Sequence, residues 1–304
     1  MEFTVPLSSS FSLEHTLESG QVFRWAKRGE WWYGVVAGGV LKVRQESEVL
    51  RCETSSDVLN SAFVTGYFRL NEDLEHVLST ITRDEVMTRA AEKFYGLRLI
   101  SQDRWECLAS FVLATNANIP RIGKMIAAIC ANFGRPIDFE GESYYSFPTP
   151  EALSGASVYE LTACGLGYRS PFLRRVSVSV LRGKVDFDRL ASQPYEEAQK
   201  LLLKELFGEK VLLGVGPKVA DCVLLYSCGK DEAFPIDVWI ARILAKSYPD
   251  LLSAPLRARL KRDEKAKLSP GDYARLSSSA RRYFGRYAGY AQQYLYMAAK
   301  ESGD

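Results

Sequence analysis

Two side chains are placed to do covalent chemistry. Lys218 follows Leu212-Leu213-Gly214-Val215-Gly216-Pro217, and Asp237 follows Phe234-Pro235-Ile236, nineteen residues further on. Pro217 suits the first turn of a helix, which puts Lys218 in that turn. The positive end of a helix dipole and burial both favour a neutral amine, the form that can act as a nucleophile. Asp237 precedes Val238-Trp239-Ile240-Ala241-Arg242 and reads as an N-cap. A carboxylate there can stabilise positive charge that develops on a substrate. Taken singly, a solvated lysine and a capping aspartate are the commoner outcomes. Hairpin, lysine and Pro-x-Asp in that order make a specific signal. Cys222 lies one helical turn after Lys218 and shares its face.

Gly214 and Gly216 allow a tight turn that exposes backbone N–H groups. Such groups at a helix start attract a phosphate, so a helix–hairpin–helix unit can clamp a DNA backbone without reading sequence. The plain alternative is an ordinary connection between two helices. The run is not a dinucleotide fingerprint, because no strand precedes it and no third glycine follows at the needed spacing.

The elements that must position these residues fall into two zones. Val40 to Arg44 alternates apolar and polar, Glu48 to Glu53 does so less cleanly, and Gly38-Gly39 is a hairpin signal between apolar stretches. Trp31, Trp32, Tyr33, Val35 and Val36 add strand-favouring residues. This predicts an antiparallel sheet, followed by helical segments from about Leu74 to Phe94. From about Gln102 the chain reads as helical, with segments at Trp105 to Ala114, Arg121 to Phe133, Lys218 to Cys228, Val238 to Ser247 and Tyr290 to Lys300. Thr149-Pro150-Glu151 starts another helix, and Ser192, Pro194, Glu196 and Glu197 open one that ends near Gly208. The expected fold class is α+β: an N-terminal antiparallel β-sheet domain over 1–100, then an all-helical body over 101–304.

Composition narrows the function classes. The 304 residues are 47% hydrophobic and 25% charged, the profile of a globular protein with a sizeable core. A formal charge of +2 excludes a basic tail but leaves room for a local basic face. Cys52, Cys107, Cys130, Cys164, Cys222 and Cys228 form no C-x2-C pair, and the two histidines are His15 and His76. That argues against a zinc site, a four-cysteine cluster or a His-based metal centre. No apolar run is long enough to span a bilayer, and the first residues lack the pattern of a signal peptide. We expect an intracellular protein with reduced thiols and no membrane association.

Several short segments, in order, closely resemble the helix-hairpin-helix glycosylase superfamily with a Gly/Pro-rich loop and a catalytic Asp. They are Ser19-Gly20-Gln21-Val22-Phe23-Arg24-Trp25, Gln102-Asp103 with Glu106-Cys107-Leu108, Asn116-Ala117-Asn118-Ile119-Pro120-Arg121, Gly165-Leu166-Gly167-Tyr168-Arg169, the Lys218/Asp237 block with Val219-Ala220-Asp221-Cys222, and Tyr287-Ala288-Gly289-Tyr290-Ala291-Gln292. Within that superfamily the chain resembles the 8-oxoguanine DNA glycosylase/AP lyases. The resemblance implies a TBP-like sheet domain in front of the helical body, and a monomer that acts on duplex DNA containing 8-oxoguanine opposite cytosine. It implies base flipping, attack by Lys218 on C1′, a Schiff base, and β-elimination that nicks the strand 3′ to the abasic site. Asp237 matches the essential carboxylate. Gly20 matches the carbonyl that accepts from N7–H of the damaged base, Gln292 the reader of its Watson–Crick edge, and Tyr296 and Cys222 its two stacking faces. Asn116, Arg121 and Arg169 match the residues that hold the orphaned cytosine, and Tyr168 matches the wedge in the stack. Gly214, Gly216 and Val219 match the hairpin backbone that holds phosphate. No metal or organic cofactor is implied for the reaction, although the hairpin carbonyls can hold a structural cation. The implied site is cytoplasmic, at the nucleoid, in a prokaryote, or nuclear in a eukaryote.

Some positions depart from the pattern. Trp239 stands where a phosphate-holding His is common, Leu213 where Pro is common, Ala117 inside what is often an Asn triplet, and Tyr296 where Phe is common. The stretch Lys204 to Lys210 reads as longer than its equivalent. The nearest alternative is an alkylated-base DNA glycosylase, which generally lacks the hairpin lysine. A non-catalytic damaged-DNA-binding protein needs the hairpin but not both Lys218 and Asp237.

Overall fold

The computed structural model describes residues 1–304 except Ser9, 208–213, 264–265 and 303–304, and except the side chains of 204–207 and 302. Five strands, β1 (Glu2–Pro6), β2 (Trp25–Arg28), β3 (Trp31–Val36), β4 (Gly39–Glu46) and β5 (Val49–Thr54), pair antiparallel in the order β1-β5-β4-β3-β2. The β3–β4 turn sits at Ala37-Gly38, one residue before the expected Gly38-Gly39, with φ of 45° and 76°. Two successive positive φ angles match the twist of a tight hairpin. In β5, Leu50, Cys52 and Thr54 are buried while Val49, Arg51 and Glu53 are half-buried, the period of two that one covered face demands. β4 is buried on both faces from Gly39 to Val43. Burial of Leu41, Val43 and Leu50 contributes about 1.5–3 kcal/mol each.

The helices are α1 (Leu13–Glu18), α2 (Ser61–Tyr67), α3 (Leu74–Ile81), α4 (Glu85–Lys93), α5 (Arg104–Leu113), α6 (Ile119–Phe133), α7 (Pro150–Gly155) and α8 (Val158–Ala163). They continue with α9 (Ser170–Leu181), α10 (Phe187–Ser192), α11 (Tyr195–Phe207), α12 (Pro217–Ser227), α13 (Val238–Ser247), α14 (Ala254–Arg262), α15 (Pro270–Phe284) and α16 (Ala288–Ser302). Their starts are set by side-chain caps: Asp103, Asn118, Thr149 and Asp237 each accept an N–H bond from three residues on. The helical body also carries one short hairpin outside the sequence expectation, β6 (Pro136–Phe139) and β7 (Glu142–Tyr145). Its turn uses Glu140 and Gly141 at φ 51° and 77°. The hairpin covers the second face of the sheet, where Glu140 accepts from Lys42 Nζ at 2.6 Å and from the Tyr33 hydroxyl at 3.0 Å.

One core underlies the sheet, with Val5, Trp32, Leu41, Val43, Leu50 and Phe68 among its members. A larger one joins α3, α4, α5, α12, α13, α15 and α16. Residues 74–99 therefore pack with the helical body although they precede residue 100. A buried polar clasp reinforces that packing: Arg69 bonds Asp231 at 2.6 Å, and the Tyr290 hydroxyl donates to Glu72.

Candidate active site

α12 begins at Pro217 behind an extended Gly216 that offers no side-chain cap, so the N–H groups of its first turn are left to other partners. Lys218 is half-buried in that turn. Its Nζ lies 5.1 Å from the ring centroid of Phe111, which stacks on Tyr226 and meets Phe23 edge-on. Cys222 is buried one turn later. Burial pushes its thiol up to about 12; the Lys218 ammonium opposes this by charge and hydrogen bond, and the Asp237 carboxylate adds to it. Lys218, Cys222 and Asp237 thus share one electrostatic neighbourhood. Asp237 caps α13, accepting from the Ile240 N–H at 2.8 Å.

The remaining pocket residues arrive from the two ends of the chain. Burial pushes the Tyr296 phenol up to about 12, and the negative charge of Asp237 adds to the shift. Gly20 has φ +76°, and a Cβ built there would lie 3.1 Å from Tyr296 Oη and 3.2 Å from Ile119 Cδ1. The backbone comes this close to Tyr296 only because residue 20 has no side chain. Gln292 is one turn before Tyr296 on α16 and only 5% exposed. Its Oε1 is buried and has no hydrogen-bond partner among the described residues. Such an acceptor costs about 1–3 kcal/mol, a cost offset when a ligand supplies the donor.

Residues without a sequence-assigned role hold this pocket in shape. Gln293 donates to the Ser19 carbonyl at 2.5 Å and accepts from the Tyr226 hydroxyl at 2.6 Å, tying the Gly20 turn to α12 through α16. Gln21 donates to the carbonyls of Thr16 and Arg98 and accepts from the Ile100 N–H. Gln102 donates to the Gln21 carbonyl at 2.6 Å. Arg24 pairs with the half-buried Glu106 at 2.9 Å, which opposes the upward push of burial on that carboxyl.

A second group faces outward beside the hairpin. Asn116 adopts φ +51°, and its Nδ2 lies 3.4 Å from the Tyr168 hydroxyl, which donates to the Thr115 carbonyl at 3.0 Å. Tyr168 is 51% exposed, and Arg121 is exposed at the start of α6. Arg169 differs from the surface side chain that a base-reading role suggests. It is 1% exposed, and its Nε and Nη2 donate to the carbonyls of Thr115 and Asn116. Gly214 joins this face: it has φ +121°, a Cβ there would lie 3.0 Å from the Phe172 ring, and its carbonyl accepts from Thr115 Oγ1 at 3.4 Å. Val219 is buried, so only its backbone can meet a ligand.

Trp239 is 38% exposed on the first turn of α13, with the Arg242 guanidinium 5.2 Å from its ring centroid. Leu213 and the longer approach at 204–210 lie at or beyond the edge of the described residues, as do carbonyls through which the hairpin would hold a cation. Among the described residues no group of three or more His, Cys, Asp or Glu side chains is placed to hold a metal, and no helix is long and apolar enough to cross a membrane. All six cysteines are buried and unpaired.

Comparison with known proteins places this arrangement. Residues 4–108 match the family model of the 8-oxoguanine DNA glycosylase N-terminal domain, and residues 109–250 match that of the HhH-GPD superfamily of base excision DNA repair proteins. A probable N-glycosylase/DNA lyase of Methanothermobacter thermautotrophicus is 32% identical over 322 residues, covering 96% of this chain and 95% of its own. The structure of MBOgg1 in complex with a low-affinity DNA ligand superimposes with a TM-score of 0.85 at 31% identity, covering 100% of this chain and 96% of the other. The Clostridium acetobutylicum 8-oxoguanine glycosylase/lyase, in complex with double-stranded DNA containing cytosine opposite 8-oxoG, gives 0.84 at 26% identity, with 99% of each chain covered. With its antiparallel sheet, its glycine hairpin and its Lys218–Asp237 neighbourhood, the chain belongs to the N-glycosylase/DNA lyase family of base excision DNA repair enzymes.

Proposed function

We propose that this protein excises 8-oxoguanine paired with cytosine from duplex DNA and then nicks the strand 3′ to the abasic site. The target nucleotide leaves the stack and enters the pocket between Cys222 and Tyr296. The Lys218 amine attacks C1′, and the glycosidic bond breaks with its electron pair leaving on the base. Asp237 stabilises the positive charge that builds on the sugar during this step. The amine then forms a Schiff base with the opened sugar, and loss of a proton from C2′ expels the 3′ phosphate. This reaction requires no metal or organic cofactor. DNA backbone is held by the N–H groups around Gly214, Gly216 and Val219. Arg242, stacked on Trp239, brings a cation to a phosphate near the lesion. Asn116, Arg121 and Tyr168 serve the vacated space and the orphaned cytosine, and Arg169 holds the Thr115–Asn116 turn beside them. A duplex DNA substrate puts the enzyme inside the cell, at the nucleoid or in the nucleus, and the reading needs only one copy of the chain.

One observation carries the choice of base: the buried Gln292 Oε1 has no donor among the described residues. A guanine-type Watson–Crick edge offers N–H donors to that acceptor, whereas 3-methyladenine presents an unprotonated ring nitrogen there. A dry site built for one pattern rejects the other strongly. The Gly20 carbonyl adds the second distinction, since N7–H exists in 8-oxoguanine and not in guanine. Single-turnover excision from 8-oxoguanine:cytosine, guanine:cytosine and 3-methyladenine:thymine duplexes tests this. We expect release from the first at least about 10⁴-fold faster than from the others; faster release of 3-methyladenine would overturn the reading.

A further inference from the structure

We propose that Asp221 and Tyr273 form an internal strap that fixes Lys218 relative to Asp237, which makes both of them positioning residues for the reaction. Asp221 sits on α12 three residues after Lys218 and is fully buried. Its Oδ1 accepts from the Tyr195 hydroxyl at 2.7 Å and from Gln199 Nε2 at 2.6 Å. Its Oδ2 accepts from the Tyr273 hydroxyl at 2.6 Å. The Tyr273 oxygen in turn accepts from the Ile236 N–H at 3.2 Å, and Ile236 is the residue before Asp237. A single hydroxyl therefore joins the lysine helix to the backbone that presents the aspartate.

The carboxylate sets the direction of this chain of bonds. An ionised Asp221 can only accept, so the Tyr273 proton must point at Oδ2 and a lone pair is left for Ile236. An amide at 221 would spend its oxygen on Tyr195 and Gln199 and turn its N–H groups toward Tyr273, leaving the phenol proton without an acceptor. Burying a carboxylate among neutral donors is a costly way to pack α11, α12 and α15, and apolar residues of similar volume would often pack as well. No salt bridge to Asp221 occurs among the described residues, although the Arg281 charge favours its ionised form. What the expense provides is orientation, and the oriented groups flank Lys218 and Asp237.

The strap rests on the reading of Lys218 and Asp237 as the reacting pair. Its test uses Tyr273→Phe, Asp221→Asn and the double variant, with Tyr195→Phe as the control that removes a donor to Asp221 without touching Ile236. Three quantities are read: the single-turnover excision rate on an 8-oxoguanine:cytosine duplex, Kd for a duplex with a tetrahydrofuran abasic analogue, and the thermal midpoint. Tyr273→Phe and Asp221→Asn should each slow excision between about 10- and 100-fold with Kd within about twofold. The double variant should be no slower than the worse single, because both act through one bridge. Tyr195→Phe should stay within about twofold of the parent. Parent-like rates in Tyr273→Phe, multiplying effects in the double variant, or a loss that vanishes on correction for folded fraction would each overturn the proposal. If the parent enzyme itself leaves 8-oxoguanine in place, the functional reading fails, and the strap is then judged by the same pattern in the rate of borohydride trapping on a plain abasic duplex.

Discussion

Gln292 and Arg169 are both buried and both keep one polar atom without a partner among the described residues, yet they sit in regions organised in opposite ways. In the base pocket Gln292 Oε1 is open, while the scaffold behind it is tightly bonded: Gln293 to Ser19 and Tyr226, Gln21 to Thr16, Arg98 and Ile100. At the gap-facing surface the proposed reading groups are themselves bonded to protein. Tyr168 donates to the Thr115 carbonyl, and Arg169 is taken up by Thr115 and Asn116. In the proposed reading a base brings Gln292 Oε1 its donor and the bonds of that scaffold stay as they are. In the same reading the gap face exchanges protein bonds for DNA bonds. We propose that the difference separates two tasks: chemistry and base choice in a preorganised interior, strand recognition at a surface that adapts on binding.

The largest effect that could break this contrast is expected at Asp237. Asp237→Asn keeps a good helix cap, so the fold should survive. Losing the charge should slow excision by about 10²–10³-fold while DNA binding is retained. A parent-like excision rate would move the chemistry away from this pocket. Next comes the gap face. Arg169→Ala should destabilise the protein by about 2–3 kcal/mol, because its bonds to two carbonyls are lost in a buried setting. Arg121→Ala should change stability by less than about 0.5 kcal/mol and instead relax the preference for cytosine opposite the lesion. Thermal melts and excision opposite each of the four bases separate the two. Equal melting temperatures for both variants would remove the distinction drawn between them.

A smaller effect concerns pH. Burial pushes the Asp221 carboxyl up to about 6, with the hydrogen bonds from Tyr273, Tyr195 and Gln199 opposing the shift. The folded protein then holds a proton on Asp221 between about pH 4 and 6 that the unfolded chain has released. This group's contribution to stability is present below about pH 4 and is lost as pH rises through about 6, on the order of 3 kcal/mol. Denaturant titrations of the parent and Asp221→Asn across that range should show a stability difference that shifts in favour of the variant as pH rises. A constant difference would place the Asp221 titration elsewhere.

What could be read from the sequence follows the range of the interactions. Lys218 and Asp237 were legible because hairpin, first-turn position and N-cap are all local patterns. The starts of α7 and α13 were legible for the same reason, each carrying its capping residue beside it, whereas α5 and α6 begin one and two residues before the expected Trp105 and Arg121. The β6–β7 hairpin was missed because its strands are only four residues each and are steadied by distant Lys42 and Tyr33. Gln293 reads as one more polar helix residue until Ser19, far away in the chain, is seen against it. Asp221 lay inside a recognised motif, yet nothing local reveals three donors from α11 and α15. Arg169 was expected to meet DNA directly. Its burial depends on the turn at Thr115 and Asn116, which no local pattern ties to residue 169.

In the proposed reaction the Lys218 amine becomes covalently joined to the sugar. Borohydride trapping on a labelled 8-oxoguanine:cytosine duplex, with parent enzyme and Lys218→Gln side by side, tests it most directly. We expect a stable protein–DNA adduct with the parent enzyme and none with Lys218→Gln, while both bind the duplex. An adduct formed by Lys218→Gln, or none formed by a parent enzyme that still releases the base, would contradict it.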